Sequence, residues 1–161
     1  MENRQEPGAF DLLQELLNNQ RLAVVATHQH GRPYTSLVAF SASRDCRRVY
    51  FVTGRATNKY RNLSHSPHVS LLIDSRTHSV EDFATGVAAT VLGKASEVAG
   101  DEIEPVIEDF LARHPHLEAF VRSPSTAVCR VDVEKYYLVT RFQYVVEMDV
   151  ARWPSSIPGR K

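Results

Sequence analysis

Val49-Tyr-Phe-Val-Thr-Gly-Arg-Ala-Thr-Asn-Lys-Tyr-Arg-Asn-Leu63 runs a strand-like segment through a small-residue turn into a short helix. Residues 49–52 are β-branched or aromatic, which suits a strand. Gly54 and Ala56 keep the turn narrow, and Thr57 stands where a helix N-cap hydroxyl belongs. The free N–H groups after Thr57, the positive end of the helix dipole and the Lys59 ammonium would converge on one anion, so the segment reads as a place to hold a phosphate. An ordinary strand, turn and capped helix without a ligand has the same pattern.

Upstream, Phe10, Leu13 and Leu17 form one stripe with Leu12 and Leu16 beside it, so residues 8–19 read as an amphipathic helix. Residues 22–27, the turn 28–33 and residues 34–40 read as strand, turn and strand, with Gly31 and Pro33 as punctuation. Residues 41–48 are polar and lead into the Val49 strand, which completes a three-stranded antiparallel meander.

Downstream, Ser66-Pro67 breaks the pattern, and residues 69–73 read as a fourth strand, apolar enough to be covered on both faces. Residues 74–83 read as a loop before a long fifth strand over 85–98, with possible bends at Gly86 and Gly93. Asp101 with Glu104 makes an acidic version of a capping box. Ile103, Val106, Ile107, Phe110 and Leu111 then form the best helical stripe in the chain, which Pro115 ends or kinks. Ala127, Cys129, Val131 and Val133 alternate with polar or outward residues, as do Tyr144, Val146, Met148 and Val150, so two half-buried strands follow. Residues 153–161 have the composition of a terminal extension. Six or seven short-spaced strands with helices between the third and fourth and between the fifth and sixth predict a mainly β, closed or partly closed antiparallel barrel. A barrel this small fills its interior with side chains, so a ligand would sit outside, against strand ends or a second subunit.

At 161 residues, 43% hydrophobic and 24% charged, the chain is composed as one globular domain. Nineteen basic residues balance nineteen acidic ones, so no electrostatic footprint for nucleic acid exists. No apolar run approaches the ~20 residues that span a bilayer, and the polar N-terminus has no apolar signal core. A soluble, cytoplasmic protein with no membrane partner is expected. Cys129 reads as a small core residue, and Cys46 as an inert turn thiol, the alternative being a thiol activated by neighbouring arginines. The histidine pairs His28/His30 and His114/His116 lack a cysteine or carboxylate at metal-site spacing, so no metal site is assigned.

The order helix, Gly-Arg-Pro hairpin, Tyr-Phe-Val-Thr strand and Ala-Thr-Asn-Lys turn resembles the pyridoxamine 5'-phosphate oxidase-like flavoproteins over about residues 10–150. Val91-Leu-Gly-Lys-Ala-Ser-Glu-Val98, Phe110-Leu-Ala-Arg-His-Pro115 and Cys129-Arg-Val-Asp-Val-Glu-Lys-Tyr-Tyr137 resemble the branch with haem-utilisation proteins. The resemblance implies a split β-barrel and an FMN-binding homodimer with the cofactor at the subunit interface. It implies phosphate binding by Thr53, Thr57 and Lys59, with Asn58 where an arginine is common, and contact with the flavin ring edge through Thr35, Ser36, Leu37 and Val38. Arg55 or Arg61 would stand in for the missing phosphate arginine, unless each is simply a solvated charge. Arg141 and Gln143, between the last two strands, would reach the partner's flavin, unless they only build the turn.

Departures from the oxidase's own pattern are Ser36 or Leu37 in place of a second-strand arginine and Ala88 in place of a glutamine. A third is Arg141-Phe-Gln-Tyr144 in place of C-terminal Trp and Arg residues. They speak against pyridoxamine phosphate oxidation itself. The expected function is that of an FMN-dependent oxidoreductase acting on a small, unidentified substrate. The alternative is a flavin- or haem-binding carrier or sensor without turnover, with FMN preferred over haem.

Overall fold

A computed structural model of the chain describes residues 8–141 and 143–155. In chain order the elements are α1 (Ala9–Asn19), β1 (Leu22–Gln29), β2 (Arg32–Ala42), β3 (Arg48–Gly54), α2 (Asn58–His65), β4 (His68–Asp74) and α3 (Asp82–Thr85). They continue with β5 (Ala88–Glu97), α4 (Ile103–Arg113), α5 (Glu118–Val121), β6 (Thr126–Thr140) and β7 (Tyr144–Asp149). The strands lie in the order β3-β2-β1-β4-β5-β6-β7, every pairing antiparallel, and β3 also pairs with β6 from Arg48↔Asp132 to Gly54↔Thr126. That last ladder closes six strands into a barrel and leaves β7 as an added strand on β6, which is the split-barrel architecture expected.

The interior is packed with side chains. Val25, Phe40, Phe51, Leu71, Val91 and Leu138 point inward from six different strands with no exposed surface, and Leu13 and Leu17 of α1 close one end. A smaller cluster forms outside the barrel, where Ile107 and Phe110 of α4 cover Val52 of β3 and Val128 of β6. The predicted stripe on α4 is therefore the seam between helix and barrel. The opposite outer face keeps apolar side chains in the open: Val24 pairs with Leu37 on one side and Leu72 on the other, Leu37 being 64% exposed and Leu72 39%.

Several expectations need correction. β4 is covered on one face only, because Leu72 lies on that open outer face. The fifth strand starts at Ala88 rather than residue 85, since α3 occupies Asp82–Thr85 and Gly86 caps it. There the Cβ of any other residue would lie 2.4 Å from the Asp82 carbonyl oxygen. Gly93 does mark a bend: the ladder passes from Leu92↔Lys135 to Gly93↔Val133 and skips Glu134, a β-bulge on β6.

The capping box does not form. A 3-10 turn at Gly100–Glu102 precedes α4, no side chain caps it, and Glu104 instead binds Arg122 at 2.9 Å. The presumed terminal extension begins with an anchor, because Trp153 stacks on Tyr136 at 5.9 Å and meets Phe10 edge-on at 5.2 Å. Arg47 adds hydrogen bonds to the carbonyls of Val150, Trp153 and Pro154. Residues 156–161 lie outside the described residues. No helix among the described residues is long and apolar enough to cross a membrane.

Candidate functional site

β3 delivers Thr53 inward at its last turn-facing position, where it is 2% exposed. Gly54 then turns the chain: Thr57 N–H donates to the Gly54 carbonyl at 3.2 Å, and the Thr57 hydroxyl donates to the same oxygen at 2.9 Å. As expected, Thr57 caps α2, its Oγ1 accepting from Tyr60 N–H at 3.2 Å. Its proton being committed to Gly54, Thr57 Oγ1 accepts from Thr53 Oγ1 across 3.0 Å, and Thr53 Oγ1 in turn accepts from Lys59 Nζ at 3.3 Å. One chain of donors thus runs from the ammonium to the turn.

Helix geometry leaves the first N–H groups of α2 without intrahelical acceptors. Tyr60 and Arg61 find theirs in the Thr57 side chain and carbonyl, which leaves those of Asn58 and Lys59 for a ligand. Lys59 itself is only 8% exposed, and no carboxylate among the described residues lies within ion-pair distance. Burial pushes its pKa below the usual lysine value. A buried ammonium at a positive helix end, with one hydroxyl for company, is an arrangement an anion would stabilise. The helix is fixed in place by Asn62, whose Nδ2 donates to the buried Thr27 hydroxyl of β1 at 3.0 Å, and by Ser66, which bonds His28 at 3.0 Å.

Arg55 faces away from this group. It pairs with Glu97 of β5 at 2.5 Å, donates to Tyr60 Oη at 3.0 Å, and lies over the Tyr60 ring. Tyr60 Oη donates onward to Glu97, and the Arg55 hydrogen bond is the main reason the Glu97 carboxyl sits below its usual pKa. Arg61 lies on the other side, holding the Asn58 side chain at 3.2 Å.

On β2 the alternation splits the expected set. Thr35 and Leu37 point to the open outer face, whereas Ser36 and Val38 point inward with Phe40. Ser36 Oγ is buried with no hydrogen-bond partner among the described residues. Arg141 and Gln143 both adopt left-handed backbone, φ 44° and 76°, in the loop that joins Thr140 to Tyr144. Arg141 borders a cleft of about 700 Å³ against Leu12, Val87, Leu138 and Tyr144. β6 meets Gly54 at its first residue, Thr126, and reaches Arg141 only after its last, roughly 50 Å of strand later. One chain therefore does not bring Arg141 and Gln143 to the Thr53–Thr57–Lys59 group.

The sequence reading passed over a second pocket, of about 520 Å³, between the β1–β2 hairpin and α2. Gln29, His30, Arg32 and Tyr34 form one wall, and Asn58, Arg61 and Asn62 the other. Its only sequence signal was the polar hairpin 28–33, which reads as turn punctuation. Cys46 is not activated by its arginines: it is 2% exposed, and burial, helped by Asp45, pushes its thiol up to about 11. Cys129 sits in the barrel core as expected, its pKa raised to about 12 by burial.

Residues 10–140 match the pyridoxamine 5'-phosphate oxidase family, and the chain belongs to it. Among solved structures, a heme binding protein from Mycobacterium smegmatis superposes with a TM-score of 0.81 at 18% identity, over 91% of this chain and 60% of that one. This chain thus spans about three fifths of that protein's length. HutZ, the heme storage protein of Vibrio cholerae, gives 0.64 at 19% identity over 81% and 92% of the two chains. A FAD-binding protein of Mesorhizobium loti gives 0.66 at 15% identity over 82% and 92%. At these identities the likeness is one of fold. No curated protein matches the chain significantly.

Proposed function

We propose that the chain is an FMN-binding flavoprotein of this family that acts as an oxidoreductase on a small substrate. The observation that carries this reading is Lys59, a buried ammonium with no carboxylate partner among the described residues, at the capped N-terminus of α2. The residues fit a flavin phosphate. Lys59 and the N–H groups of Asn58 and Lys59 would hold it, with Thr53 and Thr57 orienting the ammonium. Bound FMN would supply the redox chemistry, and the chain's own task is to place the ring and keep water from it. Thr35, Ser36, Leu37 and Val38 would read the ring edge, chiefly through the strand backbone, since their side chains diverge. Arg55 would join only by leaving Glu97.

The active form is a homodimer formed through the open outer face of β1, β2 and β4, where Leu22, Leu37 and Leu72 are exposed. Opposed copies would bring Arg141 and Gln143 of one protomer to the phosphate group of the other, which a single chain cannot do. A second reading, a flavin or haem carrier without turnover, draws support from the heme binding and heme storage proteins that share the fold.

Titrating the protein and its Thr57→Ala/Lys59→Ala double variant with FMN tests the site. Unchanged affinity in the double variant would remove the phosphate assignment. NAD(P)H oxidation by the FMN-loaded protein, measured against free FMN at the same concentration, separates enzyme from carrier: a rate no higher than that of free flavin favours the carrier.

A further inference from the structure

The pocket between the β1–β2 hairpin and α2 starts where the proposed phosphate site ends, because Asn58, the first residue of α2, belongs to both. His30, Arg32 and Tyr34 face Asn58 and Arg61 across it. Two arginines, and no acidic residue among the described residues, line this space. Neither arginine has an ion pair among the described residues, Arg61 being occupied only by the neutral Asn58 side chain. Like charges set around an open pocket repel one another, and an anion between them reverses the sign of that interaction. Planar guanidinium forks match phosphate oxygens in particular. Tyr34, 42% exposed, adds a ring face on which a nucleobase can stack. The volume of about 520 Å³ lies within the range of small-molecule sites. The single phosphate of FMN, if held at the start of α2 as proposed above, would leave most of this pocket unused.

We propose that the pocket takes the second phosphate and the adenine of a flavin dinucleotide, so that the chain selects FAD over FMN. The inference rests on the flavin reading above for the FMN half of that ligand, and adds the part that lies beyond it.

The test is a fluorescence titration of the flavin-free 161-residue chain with riboflavin, FMN and FAD at one salt concentration, repeated for Arg32→Ala. Arg32 is exposed at the hairpin, so the variant keeps the melting temperature of the parent. The expected result is FAD at least about tenfold tighter than FMN. Arg32→Ala then removes that advantage while FMN affinity moves by less than about twofold. Equal affinities for FMN and FAD, with Arg32→Ala moving neither, overturn the inference and leave the FMN site standing. Failure of every flavin to bind removes both. Binding of ADP to the FMN-loaded protein, with FAD no tighter than FMN, gives the pocket to a separate nucleotide and also overturns the inference.

Discussion

Replacing Lys59 by methionine separates a ligand-binding lysine from a structural one. The ammonium is 8% exposed, its one described partner is Thr53 Oγ1 at 3.3 Å, and burial depresses its pKa. With the folded-state pKa below the unfolded one, the charged lysine costs stability at every pH below its folded pKa. That cost disappears only as pH rises towards 10.5. Methionine keeps the unbranched stem and removes the charge, and Thr53 still has Thr57 as a partner. The flavin-free Lys59→Met protein should therefore be as stable as the parent or more stable, by about 0–2 kcal/mol.

Binding should move the other way. Loss of one charge-assisted hydrogen bond to phosphate is worth about 1.5–3 kcal/mol, or roughly 10- to 150-fold in FMN affinity. Riboflavin, which has no phosphate, should bind both proteins alike. Urea unfolding of the flavin-free proteins and fluorescence titrations with FMN and riboflavin give the three numbers. FMN affinity within twofold of the parent, or a stability loss beyond about 2 kcal/mol, would refute the reasoning.

Three further perturbations follow from the packing. His114 is 1% exposed, its Nε2 lies 2.8 Å from the Phe40 carbonyl, and burial, with Arg113, Arg21 and His116 nearby, lowers its pKa from 6.5. Stability should be full above about pH 6.5 and fall as pH drops towards the lower folded value, and His114→Gln should remove that slope in unfolding experiments at pH 5 to 8. Gly93→Ala should cost about 3 kcal/mol in urea unfolding, because the new Cβ would sit 2.4 Å from the Asp132 carbonyl oxygen at the bulge; a cost below about 1 kcal/mol would mean the bulge is not fixed. If the proposed dimer forms through this outer face of β1, β2 and β4, the parent should sediment as a dimer and Leu37→Asp with Leu72→Asp as a folded monomer, and a variant that stays dimeric would place the interface elsewhere.

Much of the fold was readable because short, strongly patterned segments decided it. Val49 to Thr53, the Thr57 cap and the Ile107–Phe110 stripe each carry a local signal that tertiary packing reinforces. The second half of β6 was not readable: Val133 and Tyr136 both point inward with the bulged Glu134 and Lys135 between them, so the two-residue period breaks where a strand-to-loop change would also break it. The capping box of Asp101 with Glu104 failed because Glu104 has a distant partner, Arg122, that no local pattern announces. Trp153 looked like tail for the same reason, its partners Phe10 and Tyr136 being far away in sequence.

The candidate site was half legible. Thr53, Thr57 and Lys59 fall within seven residues, and one turn brings them together. Arg32 and Arg61 are 29 residues apart, and only the β1–β2 hairpin folding over α2 makes them neighbours. Arg141 and Gln143 lie at the far end of β6 from that turn, and the dimer proposed above would be needed to bring them to it.

The most direct test of the central claim is the visible spectrum of the purified protein, with release and identification of whatever absorbs. The account predicts bands near ~450 and ~375 nm and a released flavin, or their appearance when flavin is added. A Soret band near ~400 nm with no flavin, or a colourless protein that binds neither FMN nor FAD, would contradict it.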